Sequence, residues 1–298
     1  MRRSISIFAF IIICVTLVSC AKGHKGSKKE LVLNSEQEYY AGRAVAAKIL
    51  ASKPLYHKED PELAEYINDI TNTLALYSDR AEIWSGYNVG VIKDDQVNAF
   101  STSGGFIFIT TGAIKAVQNE DHLAALLAHE VAHVNLRHPE AAALNAVAKS
   151  ENAKDWMEAA EIGVEVLQFI NPKLFKKLKM SPEEARKHLS GLLGQVVSEI
   201  GNCQSCGYEK RQELQADRYA VEFLYRAGYN PHAIVNVLNG FPKKMEGAEG
   251  WLTDKYPPMN ERIKEAQESL REKGYGPKDE NIQARLDRFK AKTAKLKG

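Results

Sequence analysis

The sequence His129-Glu-Val-Ala-His133, set among apolar residues, constrains this chain more than any other feature. Two histidines four residues apart lie on one face of an α-helix, so both imidazole rings can bind the same metal ion. Glu130 is displaced by about 100° around a helix of roughly 3.6 residues per turn, which places its carboxylate beside that ion. This spacing is typical of zinc sites in which the glutamate takes a proton from water. A surface helix with two solvated histidines would be less apolar than this one and would leave Glu130 in water.

A catalytic zinc ion usually has three protein ligands and one open position, so the motif predicts a third ligand elsewhere. The metzincin pattern H-E-x-x-H-x-x-G-x-x-H is excluded, because Leu136 and Pro139 occupy its glycine and last histidine positions. Glu213 and Asp217 lie four residues apart in a second predicted helix and therefore share one face. We predict that Glu213 is the third ligand of one zinc ion per chain. Asp217 is predicted to accept a hydrogen bond from a ligand histidine and to fix its tautomer.

Four stretches of the sequence resemble, in the same order, the BepA/LoiP-like and HtpX-like bacterial zinc metallopeptidases, a group that also holds the prenyl-protein endopeptidases. They are NAFSTSGGFIFITTG at 98–112, NEDHLAA at 119–125, HEVAHVNLRH at 129–138 and ELQADR at 213–218. The resemblance implies a gluzincin fold, which is an α+β and mainly α domain with a small β-sheet beside the active-site helix. It also implies a zinc-dependent endopeptidase for quality control, with unfolded or misassembled envelope proteins as substrates.

By the same resemblance, residues 106–109 or the segment at Asn98 form the sheet edge that pairs with an extended substrate. Backbone hydrogen bonds along such an edge bind a peptide largely irrespective of its sequence. Ordinary sheet core is an equally open interpretation of residues 106–109.

One position departs from the family pattern. Most members have a histidine-proline pair before the last core helix, whereas this chain has Tyr256-Pro257. The Tyr256 hydroxyl can donate a hydrogen bond to the oxyanion of a tetrahedral intermediate. Alternatively, its ring only packs, with the hydroxyl in water. Loss of the histidine also gives weight to an alternative function, a non-proteolytic zinc-binding assembly factor or chaperone for outer-membrane proteins.

Three further residues near the motifs have structural interpretations. Arg218 and Arg262 match positions at which the family carries arginine, and both are predicted to form ion pairs. His138 is predicted to stabilise the carboxyl end of its helix, where cationic side chains interact favourably with the helix dipole.

The N-terminus has the features of a bacterial lipoprotein signal. Arg2 and Arg3 precede an apolar run over residues 7–18, which is shorter than the roughly 20 residues that span a bilayer. Leu17-Val-Ser-Cys20 then resembles a lipobox, so residues 1–19 are predicted to be a signal peptide, with Cys20 lipidated and 20–34 a tether. An ordinary signal peptide is the alternative. Ala21 resembles the outer-membrane default, which implies a lipid-anchored, periplasm-facing protein of the cell envelope.

Apolar periodicity predicts most of the secondary structure. Helices are predicted over residues 35–52, 61–77, 112–119, 121–137, 141–200 with breaks, 212–227, from 231, and over 260–273; strands are predicted over 87–93 and 106–109. Ser35 and Glu38 have the spacing of a capping box. The metallopeptidase domain is therefore assigned to residues 35–273, and residues 274–298 to a basic C-terminal tail.

The pair Cys203-Gln-Ser-Cys206 allows three interpretations. A local disulfide beside the Glu213 helix fits an oxidising envelope best. A thiol-disulfide oxidoreductase site lacks its βαβ context, and a second zinc site lacks two further ligands.

The charge of the chain adds one exclusion. Its 40 Lys and Arg against 38 Asp and Glu give no electrostatic basis for nucleic acid as a partner.

Overall fold

The structure is a computed structural model that describes residues 35–141, 208–244 and 257–297. These ranges belong to one compact unit, formed by Leu33–Asn145 and Val196–Gly298. Helices predominate and are accompanied by a three-stranded sheet, which confirms the predicted mainly α member of the α+β class. The described helices are α1 Ser35–Ser52, α2 Pro61–Leu76, α3 Thr111–Ala116, α4 Glu120–Asn135, α5 Lys210–Arg226, α6 Ala233–Lys244, α7 Met259–Lys273 and α8 Ile282–Lys297.

Local capping determines where several of these helices begin. Asp60 accepts a hydrogen bond from the N–H of Leu63 at 3.2 Å, and a proline follows it where no N–H is needed. Asn119 caps α4 in the same way through the N–H of His122, at 2.8 Å. Helix α1 begins at Ser35 as predicted, and Glu38 of its first turn forms ion pairs with Arg80 and Arg137.

The sheet contains β1 Asn88–Ile92, β2 Ala99–Thr102 and β3 Phe106–Thr110, in the order β1-β3-β2. The β1 strand is parallel to β3, and β2 is antiparallel to it. Since β3 is paired on both sides, it is not the free edge that the resemblance allowed at residues 106–109. Among the described strands, the edge beside α4 is β2, which directly follows Asn98, the other segment that the resemblance allowed as an edge. Its apolar pattern did not predict it as a strand.

A tight turn between β2 and β3 makes this hairpin possible. Gly104 has a φ of 68°, in the left-handed region that glycine adopts without strain. A Cβ atom at this position would lie 2.5 Å from Cα of Tyr39 in α1. The turn therefore needs glycine both for its backbone conformation and for the close approach of α1.

Helix α4 is surrounded by other elements on all sides. Contacts reach it from α2, α5, α6, α8 and β2. Its side chains Leu123, Leu127 and Val131 are fully buried. A helix apolar around its whole circumference belongs in a core rather than at a surface, as its sequence predicted.

The basic segment from residue 274 is not separate from this core. Residues Ile282–Lys297 form α8, which packs against α2, α3 and α4 with Phe289 buried. Arg285 and Arg288 of this helix form ion pairs with α4. The boundary predicted at residue 273 therefore cuts through packed structure, and we propose that the domain continues through α8.

Several predictions lie outside the described residues. They are the signal peptide 1–19, the tether 20–34 with Cys20, the helices predicted within 142–200, Cys203, Cys206 and Tyr256. Among the helices that are described, none is both long and apolar enough to cross a membrane.

Candidate metal centre

The centre lies between α4 and α5, which pack closely along each other. His129 and His133 are one helical turn apart on α4, and Glu213 faces them from α5. One ligand atom from each of these three residues lies within 4.8 Å of the other two. All three side chains are buried. The structure thus brings together the residues that the sequence predicted as metal ligands.

The separations of these atoms suit a tetrahedral zinc ion. Nε2 of His129 is 3.0 Å from Nε2 of His133 and 3.3 Å from Oε2 of Glu213. Nε2 of His133 is 3.8 Å from Oε1 of Glu213. Bonds of roughly 2.0–2.1 Å to a tetrahedral zinc ion place its ligand atoms about 3.3 Å apart, close to these values.

The charge of the buried cluster also suits a divalent cation. Arg262 is the cationic side chain that contacts Glu213 and Asp217, and Glu130 lies on the same helix as the two histidines. The cluster therefore holds three acidic side chains against one arginine. A buried excess of acidic groups favours neutralisation, which a divalent cation can supply.

Asp217 and Arg262 orient the first histidine. Oδ1 of Asp217 lies 3.0 Å from Nδ1 of His129, which leaves Nε2 of that ring to face the other ligand atoms. Arg262 donates to both oxygens of Asp217, at 2.8 Å each. Burial opposes the charge on Asp217, but the attraction of Arg262 outweighs it and lowers the pKa of this carboxyl. Arg218 also forms ion pairs, with Glu265 and Glu272, so both family arginines are paired as predicted.

His138 has a different role from the helix-end interaction that we predicted. Arg137 has a φ of 59°, which ends α4 and turns the chain back on itself. His138 is consequently buried, with its Nδ1 2.8 Å from Nδ1 of His133. Burial lowers the pKa of His138 to about 4, so the ring is neutral and its Nδ1 can accept a hydrogen bond from Nδ1–H of His133. The only sequence signal for this contact was that the resembling stretch ends at this histidine.

Glu130 lies on the same helix with one oxygen unpaired. It is 5% exposed, and its Oε2 makes no hydrogen bond within the described part of the chain. Burial raises the pKa of Glu130 to about 7. A buried, unpaired carboxylate is costly, and such groups concentrate at functional sites.

Tyr208 is a residue of the centre that the sequence analysis missed. Its N–H donates to Oε1 of Glu213 at 3.0 Å. Its ring lies over the ring of His133, with centroids 4.1 Å apart. Its hydroxyl donates to the backbone carbonyl of Ser101 in β2, at 3.0 Å. Tyr208 therefore connects the predicted ligands to the edge strand. Tyr208 and Ser101 are 107 residues apart in the sequence, so no local pattern predicts this contact.

Much of this chain is similar in sequence to known proteases. The family model described as "Peptidase family M48" matches residues 58–270. The beta-barrel assembly-enhancing protease of Yersinia pestis is 27% identical over 213 residues, which cover 72% of this chain and 39% of that protein. The protease of the same name from Escherichia coli K12 is 25% identical over 214 residues, with the same two coverages.

A more distant relative comes from a eukaryote. The mitochondrial metalloendopeptidase OMA1 of Schizosaccharomyces pombe is 24% identical over 213 residues, covering 70% of this chain and 53% of that protein. The chain thus spans between about two fifths and half of the length of these relatives.

Proposed function

Because this chain belongs to peptidase family M48, we propose that it is a zinc-dependent endopeptidase of the bacterial cell envelope. The observation that carries the proposal is the buried cluster of His129, His133 and Glu213, with the unpaired oxygen of Glu130 on the same helix. Relatives named as proteases and as a metalloendopeptidase support the same reaction class.

In this proposal His129, His133 and Glu213 hold one zinc ion. A bound zinc ion supplies Lewis acidity, which polarises a peptide carbonyl and lowers the pKa of water. The chain's own groups keep the ligands in place. Asp217 holds Nδ1 of His129, and His138 holds Nδ1 of His133, so both rings direct Nε2 toward Glu213.

Glu130 is the proposed general base. Its free oxygen takes the proton of the attacking water and then gives it to the amine that leaves. A base must exchange its proton twice in one cycle, so its pKa is best placed near the working pH. The buried position of Glu130 favours this role, because burial stabilises the neutral form of the carboxyl between the two transfers.

Strand β2 is the proposed docking edge for the substrate main chain. It lies beside α4, on the side of β3 away from β1. An extended peptide paired with this edge is bound mainly through its backbone, so unfolded or misassembled envelope proteins are the proposed substrates. We also propose Tyr256 as a hydrogen-bond donor to the oxyanion.

The proposed location follows from the N-terminal sequence alone. Cleavage after residue 19 and lipidation of Cys20 would anchor the protein in the outer membrane, facing the periplasm. A disulfide between Cys203 and Cys206 fits the same compartment.

Casein cleavage by the full chain, beside its Glu130→Gln variant, tests the proposal when bound zinc is measured in both. We expect the wild type to cleave casein, and the variant to bind zinc without cleaving it. Asp287→Asn on the exposed side of α8 is the matched carboxylate control and should cleave at the wild-type rate. If both proteins bind zinc and neither cleaves casein, the endopeptidase proposal fails and the non-proteolytic assembly factor takes its place.

A further inference from the structure

The register of the β2–β3 pair determines which backbone groups of β2 face outward. The N–H of Thr110 donates to the carbonyl of Asn98 at 2.9 Å, so these two residues form a hydrogen-bonded pair. Such pairs alternate with pairs whose N–H and C=O groups point away from the partner strand. Ser101 lies opposite Ile107, in a pair of the second kind. Its carbonyl therefore points outward from the sheet, toward the position of any added strand.

The Tyr208 hydroxyl already donates a hydrogen bond to this outward carbonyl. The bond from Tyr208 to the oxygen of Ser101 is 3.0 Å long, which is ordinary for a neutral hydrogen bond. At the other end of the residue, the backbone N–H is held by Glu213. The ring between these two contacts lies over His133. Tyr208 thus lies across the gap between the predicted metal ligands and the edge strand.

We infer that Tyr208 occludes the peptide-binding edge of β2, so that a substrate main chain pairs with Ser101 only after the tyrosine hydroxyl has left its carbonyl. This inference rests on the proposed endopeptidase function and names a residue that limits access to its site. The tyrosine is not assigned a part in the bond-breaking step.

The two occupants exclude each other by geometry. A strand added to the edge would lie roughly 4.8 Å from β2, with its N–H groups about 2.9 Å from the outward carbonyls. The Tyr208 hydroxyl lies at that hydrogen-bonding distance from the Ser101 carbonyl, so it takes the position that a substrate N–H would need. Release of the carbonyl needs only the hydrogen bond of the hydroxyl to break, and the separate bond from the Tyr208 N–H to Glu213 can remain.

The test is the Tyr208→Phe variant of the zinc-loaded full chain, which removes the hydroxyl and keeps the ring. A neutral hydrogen bond is worth roughly a two- to tenfold change in an equilibrium constant. We therefore expect KM for a quenched fluorescent casein peptide to fall about two- to tenfold. We expect kcat and zinc content to stay unchanged. The matched control is Tyr77→Phe, because Tyr77 is 47% exposed at the surface, and this variant should keep both constants.

Two results would overturn the inference. An unchanged or raised KM in Tyr208→Phe would mean that the hydroxyl does not compete with the peptide. A loss of kcat at unchanged KM would instead make Tyr208 a hydrogen-bond donor in the transition state.

A binding measurement separates this inference from the proposed function. Fluorescence anisotropy of the labelled casein peptide compares Glu130→Gln with the double variant Glu130→Gln/Tyr208→Phe, neither of which needs to cleave it. If the double variant binds the peptide with a Kd two- to tenfold lower, but the wild type does not cleave it, the occlusion by Tyr208 is supported and the proposed endopeptidase function is rejected. If the wild type cleaves the peptide, but Tyr208→Phe changes neither KM nor Kd, the endopeptidase function is supported and the occlusion by Tyr208 is rejected.

Discussion

The two ends of helix α4 bury charged side chains in opposite ways. At its N-terminal end, Glu120 accepts hydrogen bonds from Nε of Arg288 at 2.7 Å and from the Tyr66 hydroxyl at 2.8 Å. Its neighbour Asp121 accepts from Nε of Arg285 at 3.0 Å and from the N–H of Asn230 at 2.9 Å. Each carboxylate at this end is thus bound by groups of the chain itself.

At the other end of the same helix, some buried polar atoms lack a partner from the described residues. Oε2 of Glu130 makes no hydrogen bond within the described residues, and the Nε2 atoms of two histidines face each other at 3.0 Å. Folding normally pairs buried polar groups, so the exceptions indicate where a partner from outside the chain belongs. The comparison teaches that burial and charge alone do not identify a site, since both ends have them. What differs is whether the chain's own groups bind the buried carboxylates.

The largest expected effect tests this end of α4 through Glu130→Gln. Loss of a general base lowers the rate by about 10²–10⁴-fold, so casein cleavage should fall by this factor while zinc binding persists. The variant should unfold at the same or a higher temperature than the wild type, because it removes an unpaired buried carboxylate. Initial rates, metal analysis and calorimetry check these three outcomes. A lower melting temperature would show that Glu130 stabilises the fold.

The next effect tests the N-terminal end of α4 through Arg288→Met. The substitution leaves Glu120 buried with only the Tyr66 hydroxyl. Because Arg288 itself is half exposed and solvent screens the pair, we expect a loss of about 1–3 kcal/mol. We expect urea denaturation to report a loss of this size, with kcat of the folded protein unchanged. Lys290→Met, at an exposed position of α8, is the control and should lose little stability. Equal losses in the two variants would contradict the ion pair's role.

Asp217→Asn tests a carboxylate that shares features of both ends of α4. Its two oxygens are bound by Arg262, and it also holds the proposed ligand His129. Removing its charge weakens the hold on His129, and losses of this kind lower zinc affinity by about 10–100-fold. Competition with a fluorescent zinc chelator measures the change. If affinity stayed the same while stability fell, Asp217 would belong with the structural ion pairs of the N-terminal end.

The smallest expected effect is that of His138→Ala. The neutral imidazole of His138 is a weaker acceptor than a carboxylate, so we expect zinc affinity to fall about tenfold, at the low end of the range for such contacts. His232→Ala, which changes a histidine bound to the carbonyl of Tyr275, is the matched control. The same chelator competition applies, and an unchanged zinc affinity would show that His138 does not orient His133.

The sequence was sufficient for most properties that depend on neighbours along the chain, although it did not predict helix α8. The spacing of His129 and His133 places them on one helix face, and the apolar character of α4 predicts its burial. Helix ends were found within a few residues because capping side chains and prolines act locally. The pairing of Glu213 with the two histidines is a long-range contact, but the ligand count of zinc made its prediction possible.

Only the tertiary structure decided the contacts between distant elements. Strand order made β3 central and β2 the edge among the described strands, although both strands are mostly buried. Packing brought Tyr208 onto Ser101, Arg262 onto Asp217 and the basic C-terminal helix onto the acidic end of α4. Periodicity reports which face of an element is buried, but not which distant side chain meets it there. The sequence by itself therefore determined the chemistry available at the centre, and the fold decided which of its groups are satisfied and which are left for a ligand.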